Sequence, residues 1–214
     1  MATSGATTLL KVKKGQVTFD AEGNDIESSP YFSRVVHWPG NNLSGVTIGR
    51  GYDMGNRTKV LVNQDMIKAG VPIATAKELA DGAGLFGANA KAFVDKHKKT
   101  IGKITHAQQV KLFDDIYPDY EATAKNNYDK WTQTDKTRVE WSKLDPAIRD
   151  ILVDFVYQGF TKGPGPMKSG MHNNYDEMIK YIKNTPALMV YEPGRHRIQY
   201  LKNRKPVKKL GVVK

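Results

Sequence analysis

The sequence lacks cysteine, and it also lacks any long run of apolar residues. Without cysteine the chain has no disulfides, no thiolate metal ligands and no cysteine nucleophile. No segment approaches the roughly 18 apolar residues that a membrane-spanning helix needs. The opening stretch MATSGATTLLKVKKGQ has neither the basic nor the apolar region of a secretory signal. We therefore expect a chain that is made in the cytoplasm, has no transmembrane segment and depends on another system to reach a target outside.

Motifs for phosphate, metal and serine chemistry are missing as well. The stretch SGVTIGRGYDMG (44–55) holds four glycines, but it lacks the Lys-Ser/Thr pair of a phosphate-binding loop and the βαβ pattern of a dinucleotide site. The five histidines form no pair at i, i+4, and there is no HExxH motif. A GxSxG elbow is absent too, although a serine triad built without it stays open. We expect no metal and no cofactor.

Acidic residues are scarce relative to basic ones. The chain has 33 Lys and Arg against 22 Asp and Glu, which gives a formal net charge of +11. Such a field attracts polyanions, including nucleic acid, anionic membranes and bacterial cell walls, although solubility alone is a simpler explanation. The basic residues are spread along the chain and do not interleave with aromatic residues on one face, so we expect no nucleic-acid partner.

Helical patterns dominate, and one hairpin supplies the β signal. We predict a helix over 10–23, strands at 33–38 (SRVVHW) and 46–52 (VTIGRGY), and helices through the rest of the chain. The fold class is therefore α+β and predominantly α-helical. We predict that residues 1–9 form a flexible leader and that residues 205–214 form a flexible tail.

Capping signals place several of the later helices. TAKE (75–78) and THAQ (105–108) both fit a capping box, and Pro118 predicts a kink or break in the helix that starts near His106. The strongest helix is DPAIRDILVDFVYQG (145–159), with an Asp N-cap, Pro at the first position and an apolar stripe. Further helices are predicted at 86–98, 173–183, 186–191 and 194–203.

Carboxylates are the remaining candidates for chemistry. Cleavage of a glycosidic bond needs one protonated and one ionised carboxyl group. Glu22 is expected at the carbonyl-rich end of the first helix, where a negative charge is disfavoured and the pKa of a general acid would be raised. Thr47 and Asp53 flank the glycine-lined strand. Six residues apart on a regular strand, they would share a face that the glycines leave open to a ligand. Taken singly, each acid is more often a surface or capping residue.

These residues resemble a known family. AEGND, SPYFSRVVHWPG and SGVTIGRGYDMG, over about residues 17–58, resemble the pesticin-type, T4-lysozyme-like muramidases, and DFVYQG (154–159) and GRHRIQYL (194–201) are weaker similarities. The resemblance implies a single catalytic domain over 10–204 with two lobes, a hairpin lobe (10–58) and a helical lobe (59–204), around a cleft. It also implies site roles: Glu22 is the general acid, Thr47 positions water and Asp53 is the second carboxylate. Better-known phage lysozymes carry that Asp before the TIG strand, so the role of Asp53 as base or nucleophile stays open.

The function implied by the resemblance is hydrolysis of the β-1,4 bond between N-acetylmuramic acid and N-acetylglucosamine. Such a peptidoglycan hydrolase would act on the periplasmic wall as a phage endolysin after holin release, as a secreted effector or as a bacteriocin domain. A non-catalytic glycan-binding module is the alternative. Expected partners are peptidoglycan and the anionic envelope, with an immunity protein as a further candidate and a monomeric chain. Candidate substrate-binding residues, each with a structural role as the competing interpretation, are Arg50, Tyr52, Tyr157 and Gln158.

Overall fold

A computed structural model describes residues 10–206 of the chain. It is 56% helical and contains a small two-stranded antiparallel sheet, which confirms the prediction of a predominantly helical α+β protein. The predicted leader (1–9) and most of the predicted tail (207–214) lie outside the described residues. Among the helices that are described, none is both long and apolar enough to cross a bilayer.

The chain divides into two compact units, Met1–Pro118 and Asp119–Lys214. The expected boundary between the lobes, after residue 58, falls inside the first of these units. The first unit contains, in chain order, α1 (Gln16–Ala21), β1 (Thr47–Ile48), β2 (Tyr52–Asp53), α2 (Lys59–Lys68), α3 (Ile73–Ala80), α4 (Gly87–Ile101) and the start of α5 (His106–Thr132).

The first helix is shorter than the predicted helix over 10–23. It begins only after Gly15, which has a left-handed conformation with φ of 69°. A left-handed residue interrupts the hydrogen-bond ladder of a right-handed helix. A side chain at this position would also run into the ring of Tyr117. The helix ends at Ala21 with Glu22 as its C-cap, two residues before the predicted end.

The predicted single strand over 46–52 is wrong. Gly49 and Gly51 have φ values of 62° and 80°, and the chain turns back on itself there. The result is a tight hairpin in which β1 and β2 pair antiparallel, with Thr47 opposite Asp53. The prediction failed because two glycines this close together can both take positive φ, and the chain then turns.

Segment 33–38 is not a strand either, although it packs beside the hairpin. It contacts β1 through one antiparallel bridge, His37 with Thr47. Directly before this segment, Phe32 makes a parallel bridge with Asn24, which follows α1. The segment therefore lies between the end of α1 and the hairpin, and its isolated bridges replace the strand that was predicted.

The remaining predictions for the first unit concern two capping boxes and Pro118. Thr105 and Gln108 form a complete capping box at the start of α5, with bonds of 3.2 Å and 2.7 Å. TAKE (75–78) is not a helix start, because α3 already begins at Ile73. Pro118 does not break α5, because the helix runs through it and is 27 residues long in total.

All the regular elements of the second unit, in the part that the structure describes, are helices. Its principal helix, α6 (Pro146–Tyr157), confirms the strongest sequence prediction: the Asp145 side chain accepts a hydrogen bond from the Ala147 N–H at 2.9 Å. Gly159, with φ of 87°, follows the helix end. The other elements are the end of α5, a 3₁₀ turn (Trp141–Lys143), α7 (Gly165–Lys168), α8 (Tyr175–Lys183), α9 (Pro186–Met189), α10 (Glu192–Arg195) and α11 (Arg197–Arg204).

Each unit has its own apolar core. In the first unit the rings of Phe19 and Phe113 meet edge to face with centroids 5.2 Å apart, and the hairpin is inserted into this core. In the second unit the apolar stripe of α6 is buried as predicted. The buried residues of this stripe are Ile148, Ile151, Leu152, Phe155 and Val156.

Candidate active site

The carboxylate of Asp53 is held by two backbone N–H groups. Its Oδ2 accepts a hydrogen bond from Gly45 at 3.1 Å, and its Oδ1 accepts one from Gly55 at 2.7 Å. Both hydrogen bonds involve a charged acceptor, which makes them stronger than neutral ones. They fix the orientation of the carboxylate.

Glycine is required on both sides of this carboxylate. A Cβ atom at position 45 would meet Oδ1 of Asp53 and would lie 2.5 Å from the backbone nitrogen of Gly55. A Cβ atom at position 55 would lie 3.0 Å from the same oxygen and 2.5 Å from the ring of Phe86. Two of the four glycines in the stretch 44–55 therefore form a cradle for a carboxylate, and the other two form the hairpin turn.

Thr47 lies directly opposite Asp53 in the hairpin. Opposite residues in an antiparallel pair project to the same face, so the expected shared face exists, but it arises across two strands and not along one. Thr47 is buried, and its hydroxyl donates to the carbonyl of Gly45 at 3.3 Å. With its proton directed there, the oxygen keeps lone pairs that can accept a hydrogen bond.

Glu22 lies at the C-terminal end of α1, where its backbone N–H donates to the carbonyl of Thr18 at 3.1 Å. Its side chain is partly exposed. The position agrees with the sequence interpretation of Glu22 as a residue at a helix C-terminus.

Arg50 is a buried side chain that connects the hairpin turn to the segment around Glu22. Its Nη1 donates to the carbonyls of Phe19, at 3.0 Å, and of Gly23. Its Nη2 donates to Asp25 at 2.7 Å. Because these groups flank Glu22, Arg50 holds the candidate acid in place from inside the protein. This geometry favours the structural role for Arg50 over the sugar-binding role.

Asp25 is the charged centre of this region, although it is not one of the site residues expected from the sequence. It accepts hydrogen bonds from Arg50 and from Arg34 Nε at 3.0 Å, and Gln109 Nε2 lies 3.2 Å away. His106 Nε2 is a further neighbour, at 3.4 Å. Its partners come from positions 34, 50, 106 and 109, so no local motif could have identified it.

Tyr52 does not support the expected role in packing against a sugar. It is 0% exposed, and its hydroxyl donates to Asp65 at 2.6 Å. The guanidinium of Arg57 lies over its ring, 4.4 Å from the centroid. Tyr52 is therefore a core residue that fixes the hairpin to α2.

The other two candidate substrate-binding residues belong to the second unit. The ring of Tyr157, partly exposed, lies against Tyr120 with centroids 4.1 Å apart. Gln158, the C-cap of α6, accepts a hydrogen bond from Arg197. Both side chains thus have protein partners inside this unit.

A buried ion cluster lies next to Gln158. Asp154 is 0% exposed and accepts hydrogen bonds from Arg195 at 2.6 Å and from Arg197 at 2.5 Å. Burial lowers the pKa of Arg197, and the charge of Asp154 opposes that effect. The sequence did carry a signal for this cluster, because an acid within the apolar stripe of a core helix needs a buried partner.

His37 is a further polar residue near the Thr47–Asp53 pair, and sequence reasoning assigned it no role. It is partly exposed, and Nδ1 lies 3.1 Å from the carbonyl oxygen of Val35. Burial lowers the pKa of His37; the charge of Lys98 lowers it further, while the Val35 carbonyl and Asp53 raise it. No group of three or more His, Asp or Glu residues within 10–206 is arranged to hold a metal ion.

Comparison with known proteins identifies the family of the chain. Residues 15–185 match the family described as "Domain of unknown function (DUF8812)", and since this match covers most of the sequence, the chain belongs to that family. The match includes α1, the hairpin, the glycine cradle and α6. A search of curated proteins gave no match.

Proposed function

We propose that the protein is a muramidase with a T4-lysozyme-like fold, which cleaves the β-1,4 bond between N-acetylmuramic acid and N-acetylglucosamine in peptidoglycan. The observation that carries this proposal is the oriented carboxylate of Asp53, fixed by two backbone N–H groups and placed opposite Thr47. A carboxylate beside a hydroxyl, on a hairpin whose glycines leave no bulk around it, is suited to hold and activate a water molecule.

Glu22 supplies the second carboxyl group of the proposed reaction. It lies at the C-terminal end of α1, and its side chain is partly exposed, as a group that must reach a substrate has to be. Arg50 ties the carbonyls on either side of Glu22 to the hairpin turn. The acid and the hairpin are therefore connected through one buried side chain, and this connection supports a joint role in one site.

The proposed reaction uses both carboxyl groups in one step. Glu22 gives its proton to the glycosidic oxygen as the bond from that oxygen to the anomeric carbon breaks. The oxygen of a water molecule forms the new bond to this carbon, and Asp53 takes the proton that the water releases. We assign Asp53 as the base because backbone N–H groups hold its carboxylate in one orientation opposite Thr47, where a water molecule can be bound.

The charge of the chain is consistent with the proposed substrate. Peptidoglycan with its attached polymers is anionic, and a protein with net charge +11 is attracted to it. Attraction increases the rate of encounter and weakens as salt is added. The proposed site of action is the bacterial cell wall.

The experiment that tests the proposal compares three proteins on purified peptidoglycan: wild type, Glu22→Gln and Glu27→Gln. Glu27 is a matched control because it lies five residues after Glu22, is exposed and pairs with Lys103 at the surface. Both variants change net charge equally, so their attraction to the wall stays comparable. Turbidity loss measures lysis, and analysis of the released reducing ends identifies the bond that is cut.

We expect wild type and Glu27→Gln to clear the suspension and to release muramic acid ends, while folded Glu22→Gln does neither. Inversion at the anomeric carbon is expected if Asp53 acts as the base. An inactive wild type that still binds the wall would instead support the non-catalytic glycan-binding module. Full activity in Glu22→Gln would remove Glu22 from the role of general acid.

A further inference from the structure

Three polar side chains lie in a row across the hairpin and the segment beside it. His37 and Thr47 exchange both backbone hydrogen bonds, each at 2.9 Å, and Thr47 is in turn opposite Asp53. Residues that are directly opposite in antiparallel pairing project to the same face. His37, Thr47 and Asp53 therefore share one face, with Thr47 in the middle.

The backbone pattern brings the Thr47 and Asp53 side chains close. Because both backbone groups of Thr47 point toward His37, its pairing with Asp53 is of the non-hydrogen-bonded kind. In that kind of pair the Cβ atoms are at their nearest, about 4.5–5.5 Å apart. The hydroxyl of Thr47 and the carboxylate of Asp53 can thus contact one water molecule.

The ring of His37 presents a hydrogen-bond acceptor. Its Nδ1 lies 3.1 Å from the carbonyl oxygen of Val35, which can only accept, so Nδ1 carries the proton. Burial lowers the pKa of His37 and keeps the ring neutral near pH 7. In a neutral ring with the proton on Nδ1, Nε2 is the acceptor. Within residues 10–206 no donor forms a hydrogen bond to Nε2.

We propose that His37 is a positioning residue for the attacking water, acting with Asp53 as one of two acceptors on either side of Thr47. This inference rests on the proposed muramidase function. A water molecule has two O–H groups: one donates to Asp53, which takes the proton, and the other donates to Nε2 of His37. The side chain of Thr47 lies between these two acceptors and limits the position of the water by van der Waals contact. With both hydrogens fixed, a lone pair of the water oxygen is directed away from the sheet face, toward the sugar.

The test uses two substitutions of His37 that differ in the atom they retain. Asn keeps an N–H near the position of Nδ1, which can still donate to Val35, but it reaches no further. Gln extends to about the position of Nε2 and can present an oxygen acceptor there. We expect His37→Asn to reduce kcat about 10- to 100-fold with little change in KM, and His37→Gln to restore much of that loss. His172→Asn, at the exposed surface of the second unit, is the matched control and keeps wild-type kcat.

A second measurement does not require any change to His37. The positive charge of Lys98 lowers the pKa of His37, so Lys98→Gln raises it and the ring becomes protonated at higher pH. A protonated ring cannot accept from water, and the acidic limb of the kcat profile should therefore move to higher pH. The other charged neighbour, Asp53, is unchanged in this variant. Lys99→Gln, also exposed and with the same change of net charge, should leave the limb where it is.

The outcomes separate this inference from the function on which it rests. An inactive wild type contradicts the muramidase proposal itself. With an active wild type, the role of His37 is overturned if folded His37→Asn stays within twofold of wild-type kcat, or if Asn and Gln reduce kcat equally. It is also overturned if Lys98→Gln leaves the acidic limb unmoved. Rescue by Gln together with the shifted limb supports it.

Discussion

The glycine cradle around Asp53 leads to the most quantitative prediction, for the substitution Gly45→Ala. The added methyl group would meet Oδ1 of Asp53 and would lie 2.5 Å from the nitrogen and 2.6 Å from the Cα atom of Gly55. Two of these three atoms are backbone, so rotation of a flexible side chain cannot relieve the contacts. Either the two strands of the hairpin separate or the carboxylate leaves its position.

These contacts allow the loss in free energy of unfolding caused by Gly45→Ala to be estimated. Overpacking at a site that cannot yield costs about 1–3 kcal/mol. Loss of one hydrogen bond from a backbone N–H to a charged oxygen adds about 1.5–3 kcal/mol when the group is buried. Because Asp53 is partly exposed, water replaces part of the second contribution. We expect Gly45→Ala to lower the free energy of unfolding by about 2–4 kcal/mol.

Urea unfolding at pH 7 measures this change, with Gly194→Ala as the matched control. Gly194 lies in α10, where an added Cβ meets nothing within 4 Å. Alanine is preferred over glycine inside a helix by about 0.5–1 kcal/mol, so the control should be neutral or slightly more stable. A Gly45→Ala protein whose unfolding free energy lies within about 0.5 kcal/mol of wild type would refute the close approach. Its activity on peptidoglycan should also fall further than the loss of folded protein explains.

Three further predictions concern stability. Asp154→Asn leaves the buried guanidinium of Arg197 without its counter-charge and should cost about 3–5 kcal/mol in urea unfolding; Asp176→Asn, which removes an exposed pair, should change stability far less. Thr105→Ala removes one bond of the α5 capping box and should lower the thermal midpoint, at a cost of about 0.5–2 kcal/mol. The pKa of His37 is lowered in the folded protein, so the unfolded chain binds more protons and stability should fall as pH drops below about 6.5. His37→Gln should reduce that slope, and an unchanged slope would contradict the shift.

Local signals in the sequence predicted the local features correctly. Thr105 with Gln108, and Asp145 with Pro146, identify helix starts because each cap is made by residues within one turn. The apolar stripe of α6 is equally local, and it is buried as expected. TAKE (75–78) shows the limit of the same rule, since its pattern occurs inside a helix that starts earlier.

The geometry around the candidate site could be predicted only in part. The pairing of Thr47 with Asp53 was expected on one strand, but the turn at Gly49–Gly51 places it across two. Nothing near Arg50 in the sequence indicates that its guanidinium binds the carbonyls beside Glu22, because that contact is decided by tertiary packing. His37 was overlooked for the same reason.

The cradle has a consequence for how this family varies. Position 45 must be glycine only because the Asp53 carboxylate and position 55 lie against it, and the close contacts of position 55 again include that carboxylate. Chains that keep the aspartate should therefore keep both glycines. Because a Cβ at position 45 would still meet the backbone of Gly55, and one at position 55 would still meet the ring of Phe86, a chain that has lost the aspartate should keep the glycines for as long as these segments stay equally close. Within a Gly-x₇-Asp-x-Gly pattern, it is then the aspartate that would separate relatives that retain the proposed site from those that have kept the two glycines for packing alone.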